Sequence, residues 1–538
     1  MHILERIGYE AEQLLQVILK CFKGEAASGG IYRREKTCFF RRELCTGQKV
    51  SRPWKIMVID MDKIKSSAHF FWRFLPLAGL IIWGALAVTN NLWYDEGYSA
   101  SMISHTWSEL IQITAADDHS PFYYILLKLF YHLFGGGKRF FSLKMMSVLF
   151  MMGYLLLGKY YVKKLFGEKI SLYFMLFSLL MPIMAVQAAN VRMYTAALFF
   201  MTLTGLSAYD IFIAPARKKW IVFCLAGLCC VYCHTFAMIQ TLILYIFFFG
   251  AILYKKQYQK LKGFFISGFV VAAAYLPWLA VTYRQMRLRI AEAGAGAQIP
   301  DIDTLIDYCK EWFSALETPI TLVMYLGMAL AVFLGYYAVD WMRSHHNYVP
   351  GMGVAAIGLT ALSGALISYY ISPCFLGRYA FPGFGALALM YAVGMDNIKP
   401  RAIRTGILVV ALVCFLLQYR SELRLEYDKG LKTYQAFVEE NVGESDAIMG
   451  SSSHTIFLNV YYPQLQYFIY GNMPDKMPFQ NTEAFQDWEQ LEEVEGRLWY
   501  ICFQGDSPYL LGERYAYEEV LSFHYMYYNF VIYQLFPL

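Results

Sequence analysis

Apolar runs of about 20 residues recur along this chain, each long enough for a helix to cross the ~30 Å hydrocarbon core of a bilayer. The first covers residues 70–89. Others follow at 141–157, 170–186, 193–213, 220–234, 235–254, 263–280, 319–340, 352–371, 379–395 and 404–418. The pattern predicts a polytopic α-helical membrane protein with about eleven transmembrane helices. Between residues 90 and 140 the period changes. Ser99–Ile113 reads as one helix, and Ser120 and Pro121 read as the cap and first position of another, Phe122–Phe134, ended by Gly135-Gly136-Gly137. That second helix is too short and too aromatic to span, and is expected to lie in the interface. Gly294-x-Gly296 and Pro300 mark mobile backbone in the loop 282–318, ahead of a helix at 301–316. After residue 420 strand-like and helix-like segments alternate. Strands are expected at 446–450, 466–470, 497–503 and twice within 518–536, helices at 430–441 and 482–494. This is the texture of a small α/β domain. Gly450-Ser-Ser-Ser is not a phosphate loop, so binding or packing suits the domain better than catalysis.

Composition agrees with the pattern. Of 538 residues, 58% are hydrophobic, 18% aromatic and only 16% charged, against about 25% charged in a soluble globule. The net charge of +5 is spread over short loops rather than gathered on one face, which argues against a nucleic-acid partner. Its placement carries more. Basic clusters at Lys163-Lys164, Arg217–Lys219, Lys255–Lys262, Arg343 and Lys399–Arg404 fall on alternate loops, on the side of the basic N-terminal segment. By the positive-inside rule the N-terminus is cytoplasmic, in a cell membrane, and the C-terminal domain extracytoplasmic. Residues 1–68 form a basic cytoplasmic extension without a recognisable signal peptide. Met57 or Met61 is an alternative start, which would leave residues 1–56 untranslated. Three domains are therefore expected, at 1–68, 69–420 and 421–538. The eleven cysteines imply no disulfide framework, and Cys229, Cys230 and Cys233 beside His234 make a poor metal site for want of a second ligand pair.

Few ionisable residues lie in the middle of an apolar run, where a coupled transporter would need them. The polar residues with chemistry collect at the outer ends: Asp95, Glu96, Asp118, His119, Arg192, Tyr194, His234, Arg378 and Tyr379. A carboxylate there can take a proton from an attacking hydroxyl. A departing phosphate needs positive charge, which arginine supplies with bidentate geometry. Each residue also has a plainer reading. Asp95 could cap the following helix, Asp118 or His119 the next one, and Glu96 could be structural support. Arg192 and Tyr194 could anchor in the interface, His234 could be a satisfied interface histidine, and Arg378 could snorkel to headgroups.

The order Trp93-Tyr94-Asp95-Glu96, Asp118-His119-Ser120-Pro121-Phe122-Tyr123-Tyr124, Arg192-Met193-Tyr194, Tyr232-x-His234 and Arg378-Tyr379 with Pro382 resembles the GT-C glycosyltransferases. Within them it is similar to the bacterial branch of glycosyltransferase family 39, akin to protein O-mannosyltransferases and the aminoarabinose transferase of lipid A. The resemblance covers roughly residues 70–420, and Ser120-Pro121 stands where the family often has two prolines. It implies a GT-C transmembrane domain whose external loop 90–140 carries the catalytic acid. It further implies inverting transfer of a sugar from a polyprenyl-phosphate donor to a hydroxyl of a lipid, glycan or protein acceptor. Asp95 would be the base with Glu96 beside it, Arg378 and Arg192 would hold donor phosphate, and Asp118, His119, Tyr194, His234 and Tyr379 would line the pocket. No cofactor is required by that chemistry, although a divalent ion at Asp95 and Glu96 is compatible with it. Two other classes stand beside it: a transporter or flippase of polyprenyl-linked glycans, and a non-catalytic envelope assembly protein.

Overall fold

A computed structural model describes residues 61–117, 119–137, 139–292, 301–315, 319–471, 478–486, 488–506 and 514–538. Residues 1–60, Asp118 and the Gly294–Pro300 stretch lie outside them. Residues Phe71–Leu538 form one compact unit.

Helix α1 (Met61–Ala87) leads into three short helices, α2 (Tyr94–Met102), α3 (Trp107–Ala116) and α4 (Phe122–Phe134). The long helix α5 (Arg139–Phe166) follows. Next come α6 (Glu168–Leu180) and α7 (Pro182–Ala188), a pair bent by 66°. Pro182 opens α7, and the residue before a proline is pushed out of helical geometry; Met181 is accordingly extended. The bundle continues through α8 (Tyr194–Ile213), α9 (Arg217–Cys233), α10 (Thr235–Tyr254) and α11 (Leu261–Glu292). Helices α12 (Ile302–Phe313), α13 (Thr321–His345), α14 (Val349–Tyr370), α15 (Phe384–Asn397) and α16 (Arg401–Glu426) complete it.

Helices thus occupy all eleven positions marked by the apolar runs, while the count of eleven spans is not confirmed. Among the described residues seven are long and apolar enough to cross a membrane, or eight if the bent α6–α7 pair is one span. The shortfall has local causes. The apolar part of α1 is Phe74–Ala87, α9 has 17 residues, and α15 has only 14 because Gly377–Gly383, with Pro382, winds as a tighter helical turn ahead of it. The chain is a multi-pass helical membrane protein.

Two local expectations also change. Ser99–Ile113 is two helices, interrupted at Ile103–Thr106, where Thr106 and Glu109 form a reciprocal cap on α3. Ser120 does not cap α4; the Pro121 carbonyl accepts its first hydrogen bond, from Ile125 at 2.9 Å, and the Ser120 side chain lies against Tyr275.

The C-terminal part builds α17 (Gly430–Asn441) and a six-stranded sheet: β1 (Ala447–Gly450), β2 (Gln466–Tyr470), β3 (Thr482–Phe485), β4 (Leu498–Phe503), β5 (Tyr515–Tyr525) and β6 (Tyr528–Pro537). Strand order is β3-β2-β1-β4-β6-β5, parallel across the first four and closed by an antiparallel hairpin. The expected helix at 482–494 is instead β3 and a short turn at Trp488–Glu493. Pairing Thr482–Phe485 along β2 buries Phe485, a gain that outweighs local helical pattern. Each face of the sheet carries a core, one around Trp499, Phe457 and Tyr525, the other around Phe468, Tyr500 and Val531.

The sheet domain grips the chain just behind α1. The Tyr525 hydroxyl bonds both the amide and the carbonyl of Leu92, each at 2.8 Å, and Tyr461 bonds the Leu92 amide at 3.0 Å. Asn91 donates to the carbonyls of Glu426 and Asp428. Beneath them a buried Lys144 pairs with Glu426, which also accepts from Thr89 at 2.8 Å. Trp93-Tyr94-Asp95 is therefore fixed between bundle and sheet.

Candidate active site

Helix α2 begins at Tyr94, so Asp95 and Glu96 are successive residues of one helical turn, about 100° apart around its axis. Their surroundings differ accordingly. Glu96 is 1% exposed and accepts from two backbone amides, Trp93 at 3.2 Å and Val191 at 2.8 Å. The first bond caps α2, the role weighed for Asp95. The second pins the turn that follows α7, and so places Arg192. Burial raises the Glu96 carboxyl from 4.5 to about 7, against the pull of Lys144 and with a further push from Glu426. A carboxyl whose pKa is higher folded than unfolded favours the folded state most when protonated. Stability is therefore expected to fall as pH rises from 4.5 to about 7, and Glu96→Gln to flatten that slope. Thermal unfolding of the two proteins across this window is the measurement, and parallel slopes would refute the assignment.

Asp95 is partly exposed, and two guanidinium groups converge on it. Arg192 Nε lies 3.7 Å from Oδ2 and Arg378 Nη2 3.8 Å from the same oxygen. Arg192 also donates to the Asp95 carbonyl at 3.4 Å and the Tyr124 hydroxyl at 3.3 Å, with His119 Nε2 3.2 Å from Nη2. Burial holds the His119 imidazole below its usual range, which suits a ring accepting from arginine. Gln285, reaching over from α11, bonds the carbonyls of Thr114, Asp117 and His119, and so holds this loop. Both arginines turn inward to the carboxylate, not outward to headgroups.

Arg378 Nε donates to the Tyr194 hydroxyl at 3.2 Å, and its guanidinium sits 5.7 Å over the Trp93 ring. Tyr379 lies beneath, its ring 4.4 Å from His234 and 6.4 Å from Tyr194. His234 caps α10, its Nδ1 accepting from Phe236 at 3.2 Å. One cluster of contacting side chains thus joins Asp95, His119, Arg192, Tyr194, His234, Arg378 and Tyr379, while Asp118 lies outside the described residues.

Helix α12 supplies residues that sequence reading passed over. Glu311 Oε1 is 3.5 Å from Arg378 Nη1, Trp312 donates to the Gly377 carbonyl at 2.7 Å, and Tyr308 to the Phe375 carbonyl at 3.1 Å. A Cβ on Gly377 would stand 3.2 Å from both the Tyr308 Cα and the Glu311 Cβ, so glycine eases this close approach. The signal available was the Asp301-capped amphipathic pattern of α12, which reads as any surface helix.

Below the pocket a cavity of about 1250 Å³ opens among α8, α10, α13, α14 and α15. It starts at Pro382–Gly383, is walled by Met201, Leu206, Phe248 and Leu389, and ends at Lys255 and His346. Among the described residues no three His, Cys, Asp or Glu side chains meet as metal ligands would.

A helical bundle in which the short acid-bearing helix α2 follows α1 and is clasped by a C-terminal sheet domain is a fold shared with solved structures. Among solved structures the chain is similar to ArnT from Cupriavidus metallidurans in the apo state, with TM-score 0.61 and 12% identity over 87% of this chain and 98% of that one. For ArnT bound to undecaprenyl phosphate the figures are 0.60, 13%, 86% and 98%. An oligosaccharyltransferase from Archaeoglobus fulgidus, tethered with an acceptor peptide, gives TM-score 0.40 and 10% identity over 74% and 64%. No family model matches the sequence, and no curated protein matches it. At these identities the likeness is one of fold.

Proposed function

We propose that this protein is a membrane glycosyltransferase that moves a sugar from a polyprenyl-phosphate donor to an acceptor hydroxyl on the outer face of the membrane, with inversion. The observation that carries this is the partly exposed Asp95 carboxylate with Arg192 and Arg378 converging on it. Donor phosphate takes the arginines and leaves Asp95 facing the sugar. The acceptor oxygen attacks the anomeric carbon from the face opposite phosphate, forming the new glycosidic bond. Its proton passes to Asp95. The electrons of the breaking carbon–oxygen bond go to phosphate, whose charge the guanidiniums balance. No metal is required for that balance. The apolar cavity beginning at Gly383 suits the polyprenyl chain, its lining being mainly hydrophobic. A transporter would need a polar path instead.

On this reading the C-terminal domain and Asp95 lie outside and the N-terminus in the cytoplasm, which the alternate basic loops support. The test supplies purified protein with polyprenyl-phosphate sugars and a membrane extract as acceptor. Release of free polyprenyl phosphate, coupled to labelled sugar in the extract, is the expected result. With no release from any donor, the reading fails.

A further inference from the structure

The reading above leaves the acceptor without a binding place. The C-terminal sheet offers one. From β1 the chain steps one way to β2 and β3, then returns to β4 on the other side of β1. Strand order reverses there, and in α/β sheets ligands bind at the carboxyl ends of the strands flanking such a reversal. The chain leaves the carboxyl end of β1 through Ser451-Ser452 into a one-turn helix, Ser453–Ile456, which lies against the first residue of α2. Tyr94 donates to Ser453 Oγ at 3.4 Å, and the Tyr94 and His454 rings stack with centroids 3.9 Å apart. Phe457 meets Tyr94 edge-on, and a Cβ on Gly97 would come within 2.8 Å of it, so turn and helix are closely fitted.

His454 is exposed, so its outer face is open while its inner face is backed by Tyr94. Asp95 is the next residue along, near enough for its charge to act on the imidazole. Desolvation lowers that imidazole from its usual range, against the opposite pull of Asp95. Ser453, having accepted from Tyr94, keeps its own proton to donate. A flat ring face beside hydroxyl groups matches a sugar, which has apolar C–H faces and a hydroxyl rim; sites of this kind pair apolar walls with a few placed polar groups.

We propose that the Tyr94–His454 stack and the Ser453 hydroxyl form a sugar-binding subsite that holds the acceptor as a glycan and points one of its hydroxyls at Asp95. This rests on the glycosyltransferase reading for its purpose but not for its detection. Saturation-transfer NMR on the full chain in lipid nanodiscs, with methyl glycosides of common hexoses as probes, reads the binding directly. At least one glycoside is expected to bind. His454→Ala should weaken it roughly three- to tenfold, the scale of one aromatic contact. His454→Phe should restore it, and Asp95→Asn should keep it. Absence of binding to the unaltered protein, or equal binding by His454→Ala, overturns the subsite. So does capture of serine-containing peptides with no response to sugars, which would make the acceptor a polypeptide. Failure of the enzyme reading appears elsewhere, as absent polyprenyl phosphate release, and leaves this binding result intact.

Discussion

Asp95→Asn is expected to lower sugar transfer by about 10²–10⁴, the usual contribution of a positioned general base. The substitution is nearly isosteric, and the amide oxygen can still accept from Arg192 and Arg378, 3.7 and 3.8 Å from the native carboxylate. Packing and donor binding should therefore survive while the proton acceptor is lost. Kinetics with labelled donor should show kcat falling and the donor KM nearly unchanged. Transfer at the native rate would remove Asp95 from the chemistry. The adjacent acid gives a contrast. Glu96→Gln disturbs the amides of Trp93 and Val191 and should act through stability and its pH dependence, not through the chemical step.

Arg378→Ala should have the second largest effect, and mainly on the donor. A charge-assisted hydrogen bond contributes about 1.5–3 kcal/mol, so the donor KM should rise roughly ten- to a hundredfold. Lysine should recover only part of this, because a single ammonium cannot reproduce the fork that contacts Tyr194, Asp95 and Glu311 together. The alanine variant also strips a partner from Glu311, which is 5% exposed. The double change Arg378→Ala with Glu311→Gln separates the two losses: stability should recover and donor affinity should not. An unchanged donor KM in both would refute the phosphate role.

How far this site could be read beforehand depended on where each residue stands. Asp95, Arg192 and Arg378 were conspicuous because charge is rare at the ends of apolar runs, and cost makes it informative there. The structure brings those three together through Pro182, which bends the chain ahead of Arg192, and Gly377, which lets α12 close on Arg378. Glu311 had no such contrast. It sits in a soluble-looking helix where a glutamate is ordinary, and only the Gly377 approach gives it meaning. The sequence made Asp95 the expected base and Glu96 its support, but the amide of Val191 that holds Glu96, 95 residues away, was beyond local pattern. Helix positions were legible throughout the bundle, but span count was not. Composition marks an apolar run without saying that Pro182 breaks one and Pro382 shortens another. In the sheet domain β1, β2 and β4 announced themselves by continuous apolar runs, whereas β3 depends on its neighbour and carries little signal of its own.

The hold of Tyr525 on Leu92 joins residues 433 positions apart. Synthesis runs from the N-terminus, so Tyr525 is made 433 residues after Leu92. Until then Leu92 lacks the Tyr525 half of its clasp. A nascent or truncated chain, though threaded through the membrane, would carry the acid and both arginines without the frame that aligns them. Alignment of the site thereby waits on the β5–β6 hairpin, the stretch of chain that brings Tyr525 to Leu92.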